Sequence, residues 1–189
     1  MSGGTRAIVV IVVILVLLLM AVVSQYNALV RLRNLVQEAW RQIDTELARR
    51  HDLIPNLVET VKGYAAHERE VFEAVTAARA TAAAPGAGPA AQAESENALT
   101  HALGRLFAVA ESYPTLRASD NFQQLQSELS NTEDRIAAGR RFYNANVRAL
   151  NTKVESFPSN VIAGMFGFVR AEYFEADDPQ VREAPAVSF

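Results

Sequence analysis

AIVVIVVILVLLLMAVV, residues 7–23, is apolar without a break, and the uncharged stretch that contains it runs from Arg6 to Arg31. At about 1.5 Å per helical residue, the positions from Ala7 to Val30 reach roughly 36 Å, enough to cross a hydrocarbon layer of about 30 Å. The stretch predicts a transmembrane anchor over residues 7–24, preceded by a short tail at 1–6. A cleaved signal peptide is the rival. Its apolar core is usually only about 7 to 15 residues long, and the small-residue site here, Val22-Val23-Ser24, is a poor match to A-x-A. Arg31, Arg33 and Arg41 follow the span while Arg6 and the terminal amine precede it, which leans the body toward the cytoplasm by a small margin. The chain has no cysteine, which suits a reducing compartment without excluding an oxidising one.

All but one of the 18 Lys and Arg, and all 21 Asp and Glu, come after the anchor. The body is therefore acidic and has no basic field along its length for nucleic acid or anionic lipid. Alanine is abundant, while the 9 glycines and 7 prolines fall in groups, so helices are favoured over sheets. The expected fold is all-α: the N-terminal transmembrane helix continues into an antiparallel bundle of about four helices, two of them long, over residues 25–174.

Working outward from the anchor, Tyr26, Leu29, Val36, Trp40, Ile43, Leu47, Ile54, Leu57, Val61 and Val75 alternate by threes and fours, a coiled-coil-like stripe that carries one helical segment to about Thr81. Arg33, Arg50 and Glu68 interrupt it, so partial burial or a change of phase is expected there. At Pro55 the helix either kinks or restarts, with Asp52 as N-cap and the proline in the first turn. Residues 80–93 (ATAAAPGAGPAAQA) form a chargeless, exposed connector. A second helix follows over about Glu94–Ser112 and closes at Tyr113-Pro114. The third, capped by Ser119 or Asp120, carries Phe122, Leu125, Leu129, Ile136, Tyr143, Val147, Leu150, Val154 and Phe157 along one face until Pro158. Full burial of each large apolar side chain is worth about 1.5 to 3 kcal/mol, so this helix should pack along the first one. Ser159–Phe174, broken by glycines, forms a short fourth helix, and residues 175–189 an irregular tail. The terminal Pro185–Phe189 either packs on the bundle or adds to a partner's sheet edge.

Sites for chemistry are few. His67-Glu68 begins like H-E-x-x-H, but Val71 stands where the second histidine is needed. His51 and His67 point roughly 160° apart on a continuous helix, and His101 lies on another segment, so no metal site is expected. No nucleophile elbow, phosphate loop or carboxylate pair at a cleft is present, so no catalytic or cofactor-binding residue is assigned and no small-molecule substrate is implied. Arg49-Arg50 and Arg140-Arg141 could meet a phosphate, but solvated faces or ion pairs inside the bundle explain them better. Asn27, Asn34, Gln42, Asp44, Asp52, Asn56, Glu133, Asn144 and Asn151 lie in or beside the stripes. They either fix the register of the bundle or present a polar face to a partner.

Tyr26–Val36 (YNALVRLRNLV), Glu38-Ala39-Trp40, Gln42-Ile43-Asp44, Arg49–Val58 (RRHDLIPNLV), Val61–Ala65 (VKGYA) and His67-Glu68 together resemble the LemA family. So do Glu111–Pro114 (ESYP), Phe122 with Leu125-Gln126, Thr132-Glu133, Arg140–Asn144 (RRFYN), Asn151-Thr152, Phe157–Asn160 (FPSN), Tyr173-Phe174-Glu175 and Pro185–Phe189 (PAVSF). The resemblance implies a single-pass bacterial membrane protein with an antiparallel helical body, in the cytoplasm or periplasm. It implies no activity and no site residue.

The expected role is that of a scaffold or adaptor at the bacterial inner membrane, holding a protein partner or further copies of itself. Membrane shaping or envelope-stress work, with the Val161–Phe168 region touching lipid, is the alternative. An enzyme comes third.

Overall fold

The computed structural model describes residues 3–175 and bears out an all-α protein: six helices and no strand among the described residues. The expectations for the tail beyond Glu175, including the terminal Pro185–Phe189, lie outside the described residues. The helices are α1 (Gly3–Lys62), α2 (Arg69–Ala82), α3 (Pro89–Glu111), α4 (Pro114–Arg117), α5 (Asp120–Glu155) and α6 (Ser159–Phe166). α1, with 60 residues, and α5, with 36, are the two long helices.

The chain divides into two compact units, one of residues 3–40 and 142–171, the other of residues 41–141 and 172–175. In the first unit, Tyr26 on α1 meets Phe166 on α6, the ring centroids 4.8 Å apart, and Trp40 meets Tyr143 on α5 at 5.4 Å. Leu29, Val36 and Ala39 from α1 are buried, as are Val147 and Leu150 from α5. The apolar run of α1 is another matter: none of its most apolar window is buried.

In the second unit the long helices pair in opposite directions. As numbering rises on α1 it falls on α5: Ile43 faces Gly139, Glu46 faces Arg135 and Arg50 faces Glu133. A Cβ at Gly139 would stand 3.1 Å from Ile43 Cγ1, so the glycine admits a close approach of the two helices. Ile54, Leu57 and Val61 of α1 then share a core with Phe72 and Val75 of α2, Leu99, Leu103 and Leu106 of α3, Leu116 of α4, and Phe122 and Leu129 of α5. That is the predicted stripe, closed by four further helices.

Several boundaries differ from expectation. α1 runs through Pro55 with neither a stop nor a restart at Asp52, and it ends instead at Lys62. The break comes at residues 63–68, where Ala65 N–H donates to the Val61 carbonyl at 2.9 Å, the Ala65 side chain is buried, and Glu68 becomes the N-cap of α2. Glu68 thus interrupts the stripe because the helix has already ended. The connector is also shorter than residues 80–93. Ala82 still belongs to α2, and Pro89 opens α3 at its first turn, where a missing N–H costs nothing, leaving 83–88 as the turn. The predicted fourth helix stops at Phe166 because Gly167 takes a left-handed conformation, φ 70°, that favours glycine. Phe157, expected on the buried face of α5, lies beyond the helix end and is 82% exposed.

Candidate functional site

Pro55 carries no N–H, so the carbonyl four residues earlier, that of His51, has no helical partner. Arg79 on α2 supplies one: its Nε donates to the His51 carbonyl oxygen at 2.6 Å. This contact gives the carbonyl left over by the proline a partner, while the side chains of Arg50 and His51 reach Glu96 on α3.

Arg50 is the hub of the buried polar contacts. It is 2% exposed, a cation on the stripe where an aliphatic residue would be expected. Its Nη1 donates to Glu96 Oε2 at 2.8 Å, and its Nη2 reaches Thr100 Oγ1 at 2.7 Å and Glu133 Oε1 at 2.8 Å. Glu96, buried on α3, is shared: its Oε1 lies 2.8 Å from His51 Nε2 and accepts from Gln92 Nε2 at 2.9 Å. Gln92 uses the same nitrogen to bond the Ala82 carbonyl at the end of α2, at 2.8 Å. Four helices, α1, α2, α3 and α5, therefore meet through one set of polar contacts.

One guanidinium faces two carboxylates, with His51 beside Glu96. Burial lifts the Glu133 carboxyl above its ordinary value; Arg50 opposes this, and the negative charges of Glu96 and Asp134 add to it. Arg50 Nε, although buried, has no hydrogen-bond partner. A shallow groove of about 410 Å³ opens beside the centre, with Leu103, Phe107 and Leu129 as apolar wall and Arg50, Thr100 and Glu133 as polar wall.

The residues singled out in the sequence separate accordingly. His51 is in the centre, whereas His67 and His101 are exposed, so the three histidines do not converge. Among the described residues no group of three or more His, Cys, Asp or Glu could hold a metal. Of the two arginine pairs, Arg50 alone is buried, and Arg49, Arg140 and Arg141 face outward. The polar residues of the stripes divide as well. Asn144 and Asn151 are buried and Glu133 half-buried, while Asn27, Asn34, Gln42, Asp44, Asp52 and Asn56 are exposed and do not fix register from inside. Asn151 holds the chain after α6 with both ends of its amide: Nδ2 donates to the Ala171 carbonyl at 2.9 Å, and Oδ1 accepts the Ala171 N–H at 2.8 Å. Arg33 proves exposed, its guanidinium carbon 5.1 Å from the Phe168 ring centroid.

Sequence reasoning misses Glu96, Thr100 and Gln92. One signal does point to Glu96. It precedes Leu99 and Leu103 by three and seven residues, on the apolar face of α3, and an acid there needs a buried cation.

This arrangement pins helices together and presents no nucleophile paired with a base. Its class is a helical-bundle protein headed by one helix long and apolar enough to cross a membrane. The chain belongs to the LemA family, which it matches over residues 39–189. It is 30% identical over 179 residues to magnetosome protein MamQ 2 of Paramagnetospirillum magneticum, covering 82% of this chain and 66% of that one. Against magnetosome protein MamQ of Magnetospirillum gryphiswaldense the identity is 28% over 178 residues, covering 81% and 65%. Protein LemA of Metamycoplasma hominis is 27% identical over 156 residues, covering 82% and 71%. The chain thus spans just under two-thirds of the length of the magnetosome relatives.

Proposed function

We propose that this protein is a single-pass scaffold or adaptor of the bacterial inner membrane, its body on the cytoplasmic side, holding a protein partner or further copies of itself and catalysing no reaction. The observation that carries this reading is that one helix, α1, contains both the apolar run and the first strut of the body, without a break from Gly3 to Lys62. A core helix of a soluble protein would be equally apolar but buried, whereas this window is wholly uncovered. A rigid junction makes the span a lever: it transmits the direction of the bilayer normal into the body, as a scaffold requires.

The native protein should sediment with membranes and resist carbonate extraction. Crosslinking in those membranes should then give discrete adducts through the body. A chain that stays monomeric and uncrosslinked overturns the scaffold, and a soluble chain starting near Gln25 overturns the anchor.

A further inference from the structure

The first unit leaves uncovered a face that water would not favour. α6 is two-sided. Ser159, Ile162 and Ala163 are buried, while Val161, Met165 and Phe166 are 52%, 72% and 54% exposed, and Val169, just past Gly167, is 77% exposed. Among the exposed positions of this helix Asn160 is the only polar residue. A short helix lying on a protein surface ordinarily turns charged or polar residues outward. This one turns its largest apolar side chains outward.

Its level along α1 tells what covers that face. The Phe166 ring stands edge-on to Tyr26, at 4.8 Å. Tyr26 comes three residues after the wholly apolar run and before the first charge at Arg31. Counted from Ala7, it lies about 29 Å along the helix, at the edge of a hydrocarbon layer of about 30 Å. Tyrosine is the side chain expected at that edge. Arg33, two turns further along α1, places its guanidinium over the Phe168 ring, a cation on the headgroup side of that edge.

We propose that the outer face of α6, Val161, Met165 and Phe166 together with Val169, sits in the boundary between headgroups and acyl chains of the bilayer that α1 crosses. The inference rests on the anchor reading and adds a second attachment. A lone transmembrane helix leaves a body free to swivel about its axis. A second apolar contact at the same level fixes that rotation and sets one side of the body toward the lipid. Unlike a free interfacial helix, whose opposite face is charged and solvated, α6 is carried to the surface by the unit on which its other face is packed.

The absence of cysteine permits a direct test. Single-cysteine variants Met165→Cys, Phe166→Cys and Val169→Cys of the full chain, spin-labelled and reconstituted in vesicles of phosphatidylethanolamine and phosphatidylglycerol, are compared with Leu15→Cys in the span and Asn97→Cys, exposed on α3. Thermal unfolding confirms that each variant is folded. Collision with oxygen should exceed collision with a water-soluble nickel complex at the three α6-region positions, as at Leu15, and the order should reverse at Asn97. Labels on α6 that match Asn97 while Leu15 reads as lipid overturn the inference and leave the anchor standing. Labels shielded from both reagents also overturn it, because residues 176–189 or a second copy would then be the cover. An aqueous reading at Leu15 overturns the anchor itself.

Discussion

The polar groups that the two units bury differ in kind. The first unit hides neutral ones, Asn144, Asn151 and Ser159. The second hides ionisable ones, Arg50, His51 and Glu96, together with Thr132. The difference matters because a buried neutral amide needs only its hydrogen bonds, whereas a buried ion needs those bonds and an opposite charge. The first unit can therefore lose one polar contact at a time. The second holds a set whose members depend on one another.

Removing Arg50 should produce the largest effect. Arg50→Met keeps the apolar stem but leaves Glu96 buried without its guanidinium, and such a break costs about 3–5 kcal/mol. Denaturant unfolding of the full chain in detergent should show that loss. The double variant Arg50→Met, Glu96→Leu should recover part of it, since the stranded charge, more than the missing pair, causes the instability. A double variant no more stable than Arg50→Met would show that Glu96 is not the stranded group.

The matching cut in the first unit is Asn151→Ala. It removes one donor and one acceptor from Ala171 and creates no uncompensated charge, so the expected cost is about 2 kcal/mol. A loss at Asn151 as large as that at Arg50 would erase the distinction between the units.

A smaller effect belongs to Arg79, whose bond to the His51 carbonyl compensates for Pro55. Arg79→Met should cost about 1–2 kcal/mol when Pro55 is present. In a Pro55→Ala background the restored amide can bond His51 itself, and the same substitution should then cost little. The cycle therefore has a sign: equal losses in both backgrounds would mean that Arg79 acts elsewhere.

The same contact shows where sequence reading stops. The all-α class, the two long helices and the apolar run follow from spacing and composition, because periodicity records directly which face is buried. Pro55 reads as a break because its local cost is certain and its remedy, an arginine on another helix, is a tertiary fact. Arg50 stands out as an interruption of the stripe, but its partners on α3 and α5 sit 46 and 83 positions away, and no local pattern pairs them. Phe157 fits the spacing of α5 and is nevertheless exposed, since spacing carries no information beyond the residue where a helix ends. The exposed face of α6 is legible only as an apolar segment broken by glycine; its level beside Tyr26 requires coordinates.

Glu133 gives the smallest and most informative effect, because it is the least buried member of the charged set, its side chain 40% exposed. Burial holds its carboxyl above the ordinary value of 4.5, and the attraction of Arg50 only partly offsets this. With a folded pKa above the unfolded one, protonation favours the folded state. The contribution is full below about 4.5 and is lost as pH rises through the raised value. At neutral pH the wild-type chain therefore carries a cost that Glu133→Gln avoids, while the amide oxygen can still accept from Arg50. Solvent screening limits the gain to below about 1 kcal/mol. Unfolding followed from neutral pH to below the ordinary carboxylate range should show Glu133→Gln slightly more stable at first, and the difference should close as pH falls. Should the variant instead be less stable at neutral pH, with the gap shrinking in acid, attraction to Arg50 would outweigh burial, and Glu133 would join Glu96 as a full partner of the buried cation.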